Sequence, residues 1–334
     1  MQVLSKGDYK LFTSICSLTQ KGLKKTLASY LTKHYKTVHS TKDYIFAEGD
    51  IPIALVAHMD TVWKTPPKDI FYDREKNVIW SPEGGCGDDR AGVFAILKIL
   101  QSGLRPSVIF TTDEESGAIG ATQLVKEIPK CPIDLRYIIQ LDRRGTNDCV
   151  FYSCDNPVFI EYIEKFGLLE NWGTFSDISV ICPEWEIAGV NLSIGYENEH
   201  SISEIVRVSA LLDTIRKVQI MLKETDIPSF EYIEEVYFGR KWMSAYGYPS
   251  DEYDYDFDMY YIKCSHCHKT YSEYEMFPVK SLNGTTKFVC PDCIANREKI
   301  HWCSACGEAY EVEEGDTKSF LCKDCQKGGN VTND

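Results

Sequence analysis

Apolar and polar positions alternate along the first 225 residues with two different periods. Apolar residues recur at three- and four-residue steps over about 8–17 and 19–33, which predicts two amphipathic helices. Short apolar runs then follow, bounded by polar or glycine-containing segments, as is typical of buried strands. These predicted strands are 53–57, 107–111, 137–141, 149–153, 178–182 and 190–194. Further helix-like segments occupy about 90–102, 118–128, 157–167 and 202–224.

This alternation predicts an α/β fold with a largely parallel, mixed sheet sandwiched by helices. We assign residues 1–227 to one domain, called the body below. Residues 228–262 are acidic and rich in tyrosine, and they show neither period, which predicts a connector that packs partly against one or both neighbours. Residues 263–334, the tail, hold eight cysteines and form the third predicted segment.

Composition and charge exclude some classes of function. The 334 residues include 36 Lys+Arg and 50 Asp+Glu, for a formal net charge of −14. Nonspecific binding to nucleic acid needs a basic surface, so the acidic balance argues against it. The chain has no apolar run of about 18 residues and no apolar signal core after Met1, so we expect no membrane segment and a cytoplasmic location.

Ionisable residues follow the predicted strands at their carboxyl ends. The run IPIALVA ends before His58, SVIFTT ends before Asp113, and YIIQL ends before Asp142. A glycine-rich loop, EGGCGDDRAGV, and the run NLSIGY lead to further carboxylates and a histidine. Functional residues gather outside the carboxyl ends of strands in an open α/β sheet, so we expect these side chains to converge. The candidates are His58, Asp60, Asp88, Glu114, Glu115, Asp142 and His200.

These residue types indicate a metal-dependent hydrolase. Histidine and carboxylates suit borderline divalent metals such as zinc. Two adjacent cations need a carboxylate that bridges them, terminal ligands on each side, and a nearby base. Asp60 lies two residues after His58, a spacing that lets its carboxylate accept the second ring N–H of a metal-binding histidine. The adjacent Glu114 and Glu115 can divide metal binding and proton transfer between them.

In these motifs the chain resembles the co-catalytic zinc exopeptidase superfamily. The ordered elements are H-x-D-T-V, D-D-R-A-G, D-E-E-x-G, a lone Asp after a strand and a late His, and they fall within about residues 8–224. That superfamily includes peptidase T, carboxypeptidase G, the aminoacylases and the compact zinc aminopeptidases. Many members insert a lid or dimerisation domain between the last two elements. Here 57 residues separate Asp142 from His200, which indicates a body without that insertion.

The resemblance implies a role for each candidate. His58, Asp142 and a bridging Asp88 would hold one metal, and Asp88, Glu115 and His200 would hold the other. Asp60 would orient His58, and Glu114 would be the general base. The bridging position falls on Asp88 rather than Asp89 because the superfamily places it two residues before the basic residue of this motif. Both catalytic metals are expected to be zinc, with manganese or cobalt as alternatives.

The expected activity is hydrolysis of a peptide or related amide bond. An exopeptidase acting on short peptides, aminopeptidase or dipeptidase-like, is the first hypothesis, and a deacylase of N-acyl amino acids is the alternative enzyme. A third hypothesis makes the body a scaffold, or a hydrolase aimed at one partner protein, recruited through the tail. An inactivated descendant is a further alternative, although no expected ligand or base is missing.

The tail cysteines form four C-x-x-C pairs, a pattern that predicts zinc in a reducing compartment. Four thiolates on two such turns make a closed tetrahedral site. We expect two consecutive zinc ribbons with two structural zinc ions, and interleaved pairing stays open. Because the tail is acidic, protein contact, dimerisation or substrate gating is favoured over nucleic-acid binding, with a purely structural appendage as the alternative. The pairs are Cys264 and Cys267, Cys290 and Cys293, Cys303 and Cys306, and Cys322 and Cys325.

Overall fold

A computed structural model describes residues 3–234, 261–272, 276–281, 286–290, 293–294, 300–303 and 309–312. The chain divides into two compact units, 1–245 and 246–334, and this division falls inside the predicted connector. Residues 235–260 of the connector lie outside the described residues. Residues 228–234 lie against the body, where the Phe230 amide donates to the Arg136 carbonyl and the Phe230 carbonyl accepts from the Ala188 amide.

An eight-stranded mixed sheet forms the centre of the first unit. Its four middle strands are parallel to one another, and antiparallel strands flank them on both sides. In spatial order the strands are β1 (Thr37–Ser40), β2 (Tyr44–Glu48), β6 (Pro106–Thr111), β3 (Ile51–His58), β7 (Tyr137–Arg143), β10 (Gly189–Ser193), β8 (Asp148–Val150) and β9 (Leu169–Glu170).

Within residues 3–234, seven helices cover the two faces of this sheet. They are α1 (Lys6–Cys16), α2 (Gln20–His34), α3 (Arg90–Gln101), α4 (Ile119–Glu127), α5 (Pro157–Glu164), α6 (Asp177–Trp185) and α7 (Val208–Met221). The buried side chains of α4 and α6 form one apolar core, and those of the other five helices form the core on the opposite face. The predicted α/β fold with a largely parallel, mixed sheet between helices is confirmed.

The apolar run in β3 shows why the sequence specifies a sheet covered on both faces. Leu55 and Ala57 belong to the larger core, whereas Ala54 and Val56 belong to the core beneath α4 and α6. Successive strand residues point to opposite faces, so a strand covered by helices on both sides needs apolar residues at every position. That requirement accounts for the uninterrupted run before His58.

The predicted strand at 178–182 is wrong, because these residues lie in α6. Periodicity cannot separate a short buried strand from a buried helical segment. The residues of this segment that are buried, Ile178, Ile181, Cys182 and Trp185, have helical spacing. Ser176 caps the helix through a capping box, which is the local signal for a helix start here.

A second, smaller sheet was not predicted. Its strands are β11 (Tyr196–Glu197), β12 (Ile205–Arg207), β5 (Val78–Trp80) and β4 (Phe71–Asp73), all antiparallel to their neighbours. Because 205–207 pairs with β5, the helix predicted over 202–224 begins only at Val208. The predicted strand at 149–153 is also shorter and ends at Val150.

The second unit contains short strands around the first two cysteine pairs. A hairpin joins β13 (Tyr261–Lys263) to β14 (Thr270–Ser272), and Cys264 and Cys267 lie in its turn. A second sheet has the order β16 (Thr286–Val289), β15 (Phe277–Lys280), β18 (Ala309–Glu311) and β17 (Ile300–Trp302). Among the described residues of both units, no helix is long and apolar enough to cross a membrane.

Gly92 provides a test of the packing that positions the site. It lies in the first turn of α3, where an added Cβ would overlap the Leu141 carbonyl oxygen of β7. We expect Gly92→Ala to lower the free energy of unfolding by about 2 kcal/mol or more, because overpacking forces the helix off the sheet. Urea denaturation followed by circular dichroism measures this change.

Gly7→Ala is the matched control. Gly7 lies in the first turn of α1. A Cβ atom added there would have the Ser5 Oγ atom as its nearest neighbour, at 3.8 Å. Alanine has the higher helix propensity, so this control should be neutral or should stabilise the protein by up to about 1 kcal/mol. Equal stability of the two variants would contradict the close approach of α3 to β7.

Candidate metal centre

The predicted site residues converge at one edge of the large sheet. His58 is the last residue of β3, Asp142 is the next-to-last residue of β7, and Glu114 and Glu115 follow β6 after a short turn. These three strands are parallel, so their carboxyl ends meet at the same edge. Asp88 reaches that edge from the glycine-rich loop before α3.

His58, Asp88 and Asp142 form the first group of possible ligands. The His58 Nε2 atom lies 3.0 Å from Asp88 Oδ1 and 3.4 Å from Asp142 Oδ1. The imidazole of His58 is 1% exposed, and the other two side chains are at most 10% exposed. The three side chains therefore point potential ligand atoms at one another in a nearly closed space.

Asp88, Glu115 and His200 form a second group that shares Asp88 with the first. The His200 Nε2 atom lies 3.1 Å from Asp88 Oδ2 and 3.0 Å from Glu115 Oε2. Asp88 thus presents Oδ1 to His58 and Oδ2 to His200. A carboxylate in this position can bridge two cations, one in each group.

Both groups fit a divalent metal ion. Ligand atoms bound at about 2.0–2.1 Å in a tetrahedral site lie roughly 3.3 Å from one another, close to the observed separations. In each group the candidate ligand atoms all lie within 4.8 Å of one another. Imidazole nitrogen with carboxylate oxygen is a donor set suited to zinc and similar divalent metals.

The neighbouring carboxylates make this edge attractive to positive charge. Hydrogen bonds to Asp88 and Glu115 raise the pKa of His200 to about 10. Burial alone would lower the pKa of His58, but the facing carboxylates of Asp142, Asp60 and Asp88 raise it well above its usual value. Cations are stabilised in surroundings of this kind.

Asp60 links the end of β3 to the D-E-E loop through hydrogen bonds. Its Oδ1 atom lies 3.2 Å from His58 Nδ1 and accepts from the Glu114 amide, and its Oδ2 atom accepts from the Glu115 amide at 3.0 Å. Burial opposes ionisation of Asp60, but these hydrogen bonds hold its pKa below the usual value. The carboxylate therefore fixes both the His58 ring and the loop that carries Glu115.

Glu114 differs from the residues around it. No hydrogen bond to its carboxylate occurs within the part of the chain that the structure describes, whereas Glu115 contacts His200. Burial raises the pKa of Glu114 to about 9, and the charges of Asp142 and Asp177 add to the effect. A half-buried carboxyl group with a raised pKa has the properties of a group that can accept and release a proton.

Asp89 joins neither group. Its carboxylate accepts from the Gly92 amide at 2.9 Å, which caps α3, and from the His58 amide at 3.3 Å. It ties the end of β3 to the start of α3, beside the loop that presents Asp88. The peptide bond between Asp88 and Asp89 is cis. Asp88, rather than Asp89, is the residue that belongs to both groups of possible ligands.

Three side chains hold Asp142, and of these the sequence suggested only Ser176, as a residue that could line the pocket. Its Oδ2 atom accepts from Ser176 Oγ at 2.9 Å and from Gln140 Nε2 at 3.1 Å, and its Oδ1 atom accepts from the Tyr196 hydroxyl at 3.2 Å. Ser176 is the N-cap of α6, whose residues 178–182 were predicted as a strand.

Glu204 is a second residue that sequence reasoning missed. Its carboxylate is 1% exposed and accepts from the backbone amides of Cys86, Gly87 and Asp88 at 2.7, 2.9 and 3.2 Å. The glycine-rich loop is therefore held by a residue four positions after His200. Nothing in the local sequence signals this contact, because Glu204 lies 116 to 118 residues after the amides that it binds.

The first cysteine set of the tail also comes together. The sulfur atoms of Cys264, Cys267, Cys290 and Cys293 lie within 4.8 Å of one another, so these two pairs group consecutively rather than interleave. The amides of His266 and Cys290 both donate to Cys264 Sγ at 3.4 Å, as in a thiolate site. In the second set, Cys303 is buried. Cys306, Cys322 and Cys325 lie outside the described residues, so the second ribbon stays a prediction.

Comparison with known proteins was made by sequence and by structure. No protein-family model matches the sequence. No curated protein matches it either. Solved structures do match: aminopeptidase PepT from Bacillus cereus at 15% identity and a TM-score of 0.53, covering 65% of this chain and 97% of that one. A tripeptidase from Staphylococcus aureus matches at 15% identity and a TM-score of 0.54, covering 67% and 99% of the two chains.

An archaeal aminopeptidase, APDkam598 from Desulfurococcus kamchatkensis, is similar to the same extent. It shares 15% identity and a TM-score of 0.53, over 66% of this chain and 96% of that chain. At this level of identity the likeness concerns the fold. About two thirds of the chain therefore has the fold of these aminopeptidases, which is the fold that the motifs predicted.

Proposed function

We propose that the body is a metal-dependent exopeptidase that hydrolyses peptide bonds in short peptides, with an aminopeptidase as the first choice. The observation that carries this proposal is the shared Asp88, whose two carboxylate oxygens face His58 and His200. A bridging carboxylate between two histidine-containing groups serves paired cations and has no use in an ordinary acidic turn. The fold shared with aminopeptidases supports the same reaction class.

In this proposal, zinc is the metal, with manganese or cobalt as alternatives. His58, Asp88 and Asp142 would hold one ion, and Asp88, Glu115 and His200 the other. Two such ions supply Lewis-acid polarisation of the scissile carbonyl and a lowered pKa for bound water. Asp60 orients the His58 ring by accepting from Nδ1, which leaves Nε2 to face the shared carboxylate.

Glu114 moves the proton. Its carboxylate has no competing hydrogen bond within the described residues, so it is free to take a proton from the attacking water and return it to the leaving amine. Burial raises the pKa of Glu114 to about 9. Nearby positive charge favours the ionised form of a carboxyl, so bound cations would bring this pKa down into the range of a general base.

A deacylase of N-acyl amino acids uses the same chemistry, but the solved structures with this fold that are compared above are peptidases, which favours peptide substrates.

For the tail, we propose two structural zinc ions and contact with a protein partner. Reduced thiols are needed to bind zinc, so the cysteine pairs favour a cytoplasmic location. A scaffold without activity would not need the shared carboxylate.

Glu114→Gln tests the proposed base. We expect kcat on a short peptide to fall by about 10²- to 10⁴-fold, because an amide cannot accept the proton, while the metal content is unchanged. Steady-state kinetics and elemental analysis measure the two quantities. Glu75→Gln, an exposed substitution outside the motifs, is the matched control. Turnover that is unchanged in Glu114→Gln would exclude this mechanism.

Metal removal tests the paired site. Dialysis against a chelator should abolish peptide hydrolysis, and zinc, manganese or cobalt should restore it. Elemental analysis should find about four zinc ions per chain, fewer by about two in Asp88→Ala and by about one in Cys267→Ser. Full activity after exhaustive chelation, or an unchanged metal count in Asp88→Ala, would contradict the paired site.

Glu204→Gln tests the support of the Asp88 loop. The amide nitrogen of glutamine cannot accept from a backbone N–H, so the loop loses at least one of its three hydrogen bonds. We expect the affinity of the body for zinc to fall by about 10- to 100-fold, as for other residues that position metal ligands. Competition with a chelating dye measures this affinity. Glu199→Gln is the control, because Glu199 lies in the same β11–β12 loop as Glu204 but pairs with Arg144. Equal zinc affinities in the two variants would exclude the role of Glu204.

A further inference from the structure

A cavity of about 600 Å³ adjoins the candidate metal centre. Asp60 and Glu115 belong both to its wall and to the centre, so a molecule that reacts there can extend into it. Most of the remaining wall comes from the junction of α1 and α2, from the loop after His58, and from Arg90 at the start of α3, and Gly85, Asp113 and Ser116 complete it. A cavity of this size accommodates one or two amino-acid residues.

Arg90 is an unpaired cation in this wall. Its side chain is buried, with 3% of the residue exposed, and its Nη2 atom donates to the Leu18 carbonyl at 3.1 Å. The Nε and Nη1 atoms are buried without a hydrogen-bond partner, and no carboxylate of the described residues forms an ion pair with the guanidinium. An arginine stays charged in proteins, so Arg90 places a positive charge beside the cavity, near the Asp60 and Asp89 carboxylates but without a direct ion pair to them.

The amino end of α2 adds to this positive character. Thr19 caps the helix by accepting from the Gly22 amide through its side chain and from the Leu23 amide through its carbonyl. The amides of Gln20 and Lys21 have no acceptor among the described residues, and both residues line the cavity. Free amides at the start of a 15-residue helix favour a negative group, because the helix dipole is positive there.

Two exposed lysines, Lys21 and Lys64, complete the cationic wall. Neither ammonium forms an ion pair with a described residue, and both residues line the cavity. Elsewhere at this edge the arginines are already engaged: Arg144 pairs with Glu199 at 2.8 Å, and Arg143 donates to the Trp172 carbonyl at 3.1 Å. Free positive charge is therefore a property of this cavity.

The carboxylates of the cavity wall already have partners. Asp60 and Glu115 are engaged by the two histidines of the candidate metal centre. Asp113 accepts from Gln20 Nε2 at 2.9 Å. The carboxylates of the wall therefore have hydrogen-bond partners among the described residues, whereas the ammonium groups of Lys21 and Lys64 have none there and are available to a ligand.

We propose that this cavity, the carboxylate pocket (Thr19–Lys21, Thr61–Lys64 and Arg90), binds a carboxylate of the peptide substrate. The proposal rests on the proposed peptidase function and adds a substrate class to it. The carboxylate has two possible sources, an acidic side chain beside the scissile bond or the terminal α-carboxylate of a di- or tripeptide. Lys21, Lys64 and the α2 amides would contact it, and Arg90 would supply charge from behind.

The experiment compares matched acids and amides. The zinc-loaded full chain is assayed with trialanine against trialanine amide, and with Glu-Ala amide against Gln-Ala amide. We expect kcat/KM to be at least about tenfold higher for the acid of one pair, the value of one charge-assisted contact, and the preferred pair identifies the source. In Lys21→Glu/Lys64→Glu, this ratio of kcat/KM between acid and amide should fall by about tenfold or more, mainly through KM.

Binding without turnover keeps the pocket and the peptidase function separable. Glutarate and its diamide are titrated into the zinc-loaded protein by calorimetry. Glutarate should bind at least about tenfold more tightly than the diamide, and the double lysine variant should lose this difference. Lys25→Glu, on an exposed position of α2 outside the cavity, is the matched control and should behave as wild type. Both lysines lie on the surface, so the test does not depend on disturbing the buried Arg90.

The outcomes are distinct. Hydrolysis of neutral peptides with no preference for either acid, together with equal binding of glutarate and its diamide, would overturn the carboxylate pocket and leave the peptidase. A lysine-dependent preference for glutarate in a protein that hydrolyses none of the peptides would support the pocket and overturn the proposed function. Equal loss of glutarate binding in Lys25→Glu would also overturn the pocket, because the effect would then be one of general charge.

Discussion

The geometry at the functional edge depends on one buried contact, the Glu204 carboxylate bound to three successive backbone amides. Those amides belong to the loop that ends in Asp88, the residue common to both candidate ligand groups. A short glycine-rich loop has little apolar surface with which to hold itself in place, so hydrogen bonds must define its path. Because Glu204 lies just beyond His200, a single carboxylate sets the Asp88 loop against the segment that supplies the second histidine.

Much of the fold and of the site followed from the sequence, for a definite reason. His58 and Asp142 end runs of apolar residues, and parallel strands bring such ends to one edge whatever the loops between them. Contacts between residues that are distant in the sequence were not predictable in this way. Glu204 and Asp88 are 116 residues apart, and no local pattern links them. The segment 178–182 was assigned to a strand because a short apolar run is compatible with both a buried strand and a buried helix.

Charge is distributed unevenly over this acidic protein. The net charge of −14 would repel a carboxylate-bearing substrate on approach, and the carboxylates of the candidate centre add to that repulsion unless cations neutralise them. The unpaired Arg90, the amino end of α2 and two free lysines create a local exception beside the centre. The cysteines that dominate the composition of the tail lie in a separate compact unit, and the chemistry of the body depends on histidine and carboxylate side chains.

Anomalous diffraction from crystals grown with zinc, measured on both sides of the zinc absorption edge, tests the paired metal centre most directly. We expect two peaks about 3.5–4 Å apart, one among His58, Asp88 and Asp142 and one among Asp88, Glu115 and His200. The four-cysteine group at Cys264 provides an internal reference for zinc occupancy. A strong peak there, with no density for metal on either side of Asp88, would contradict the central claim.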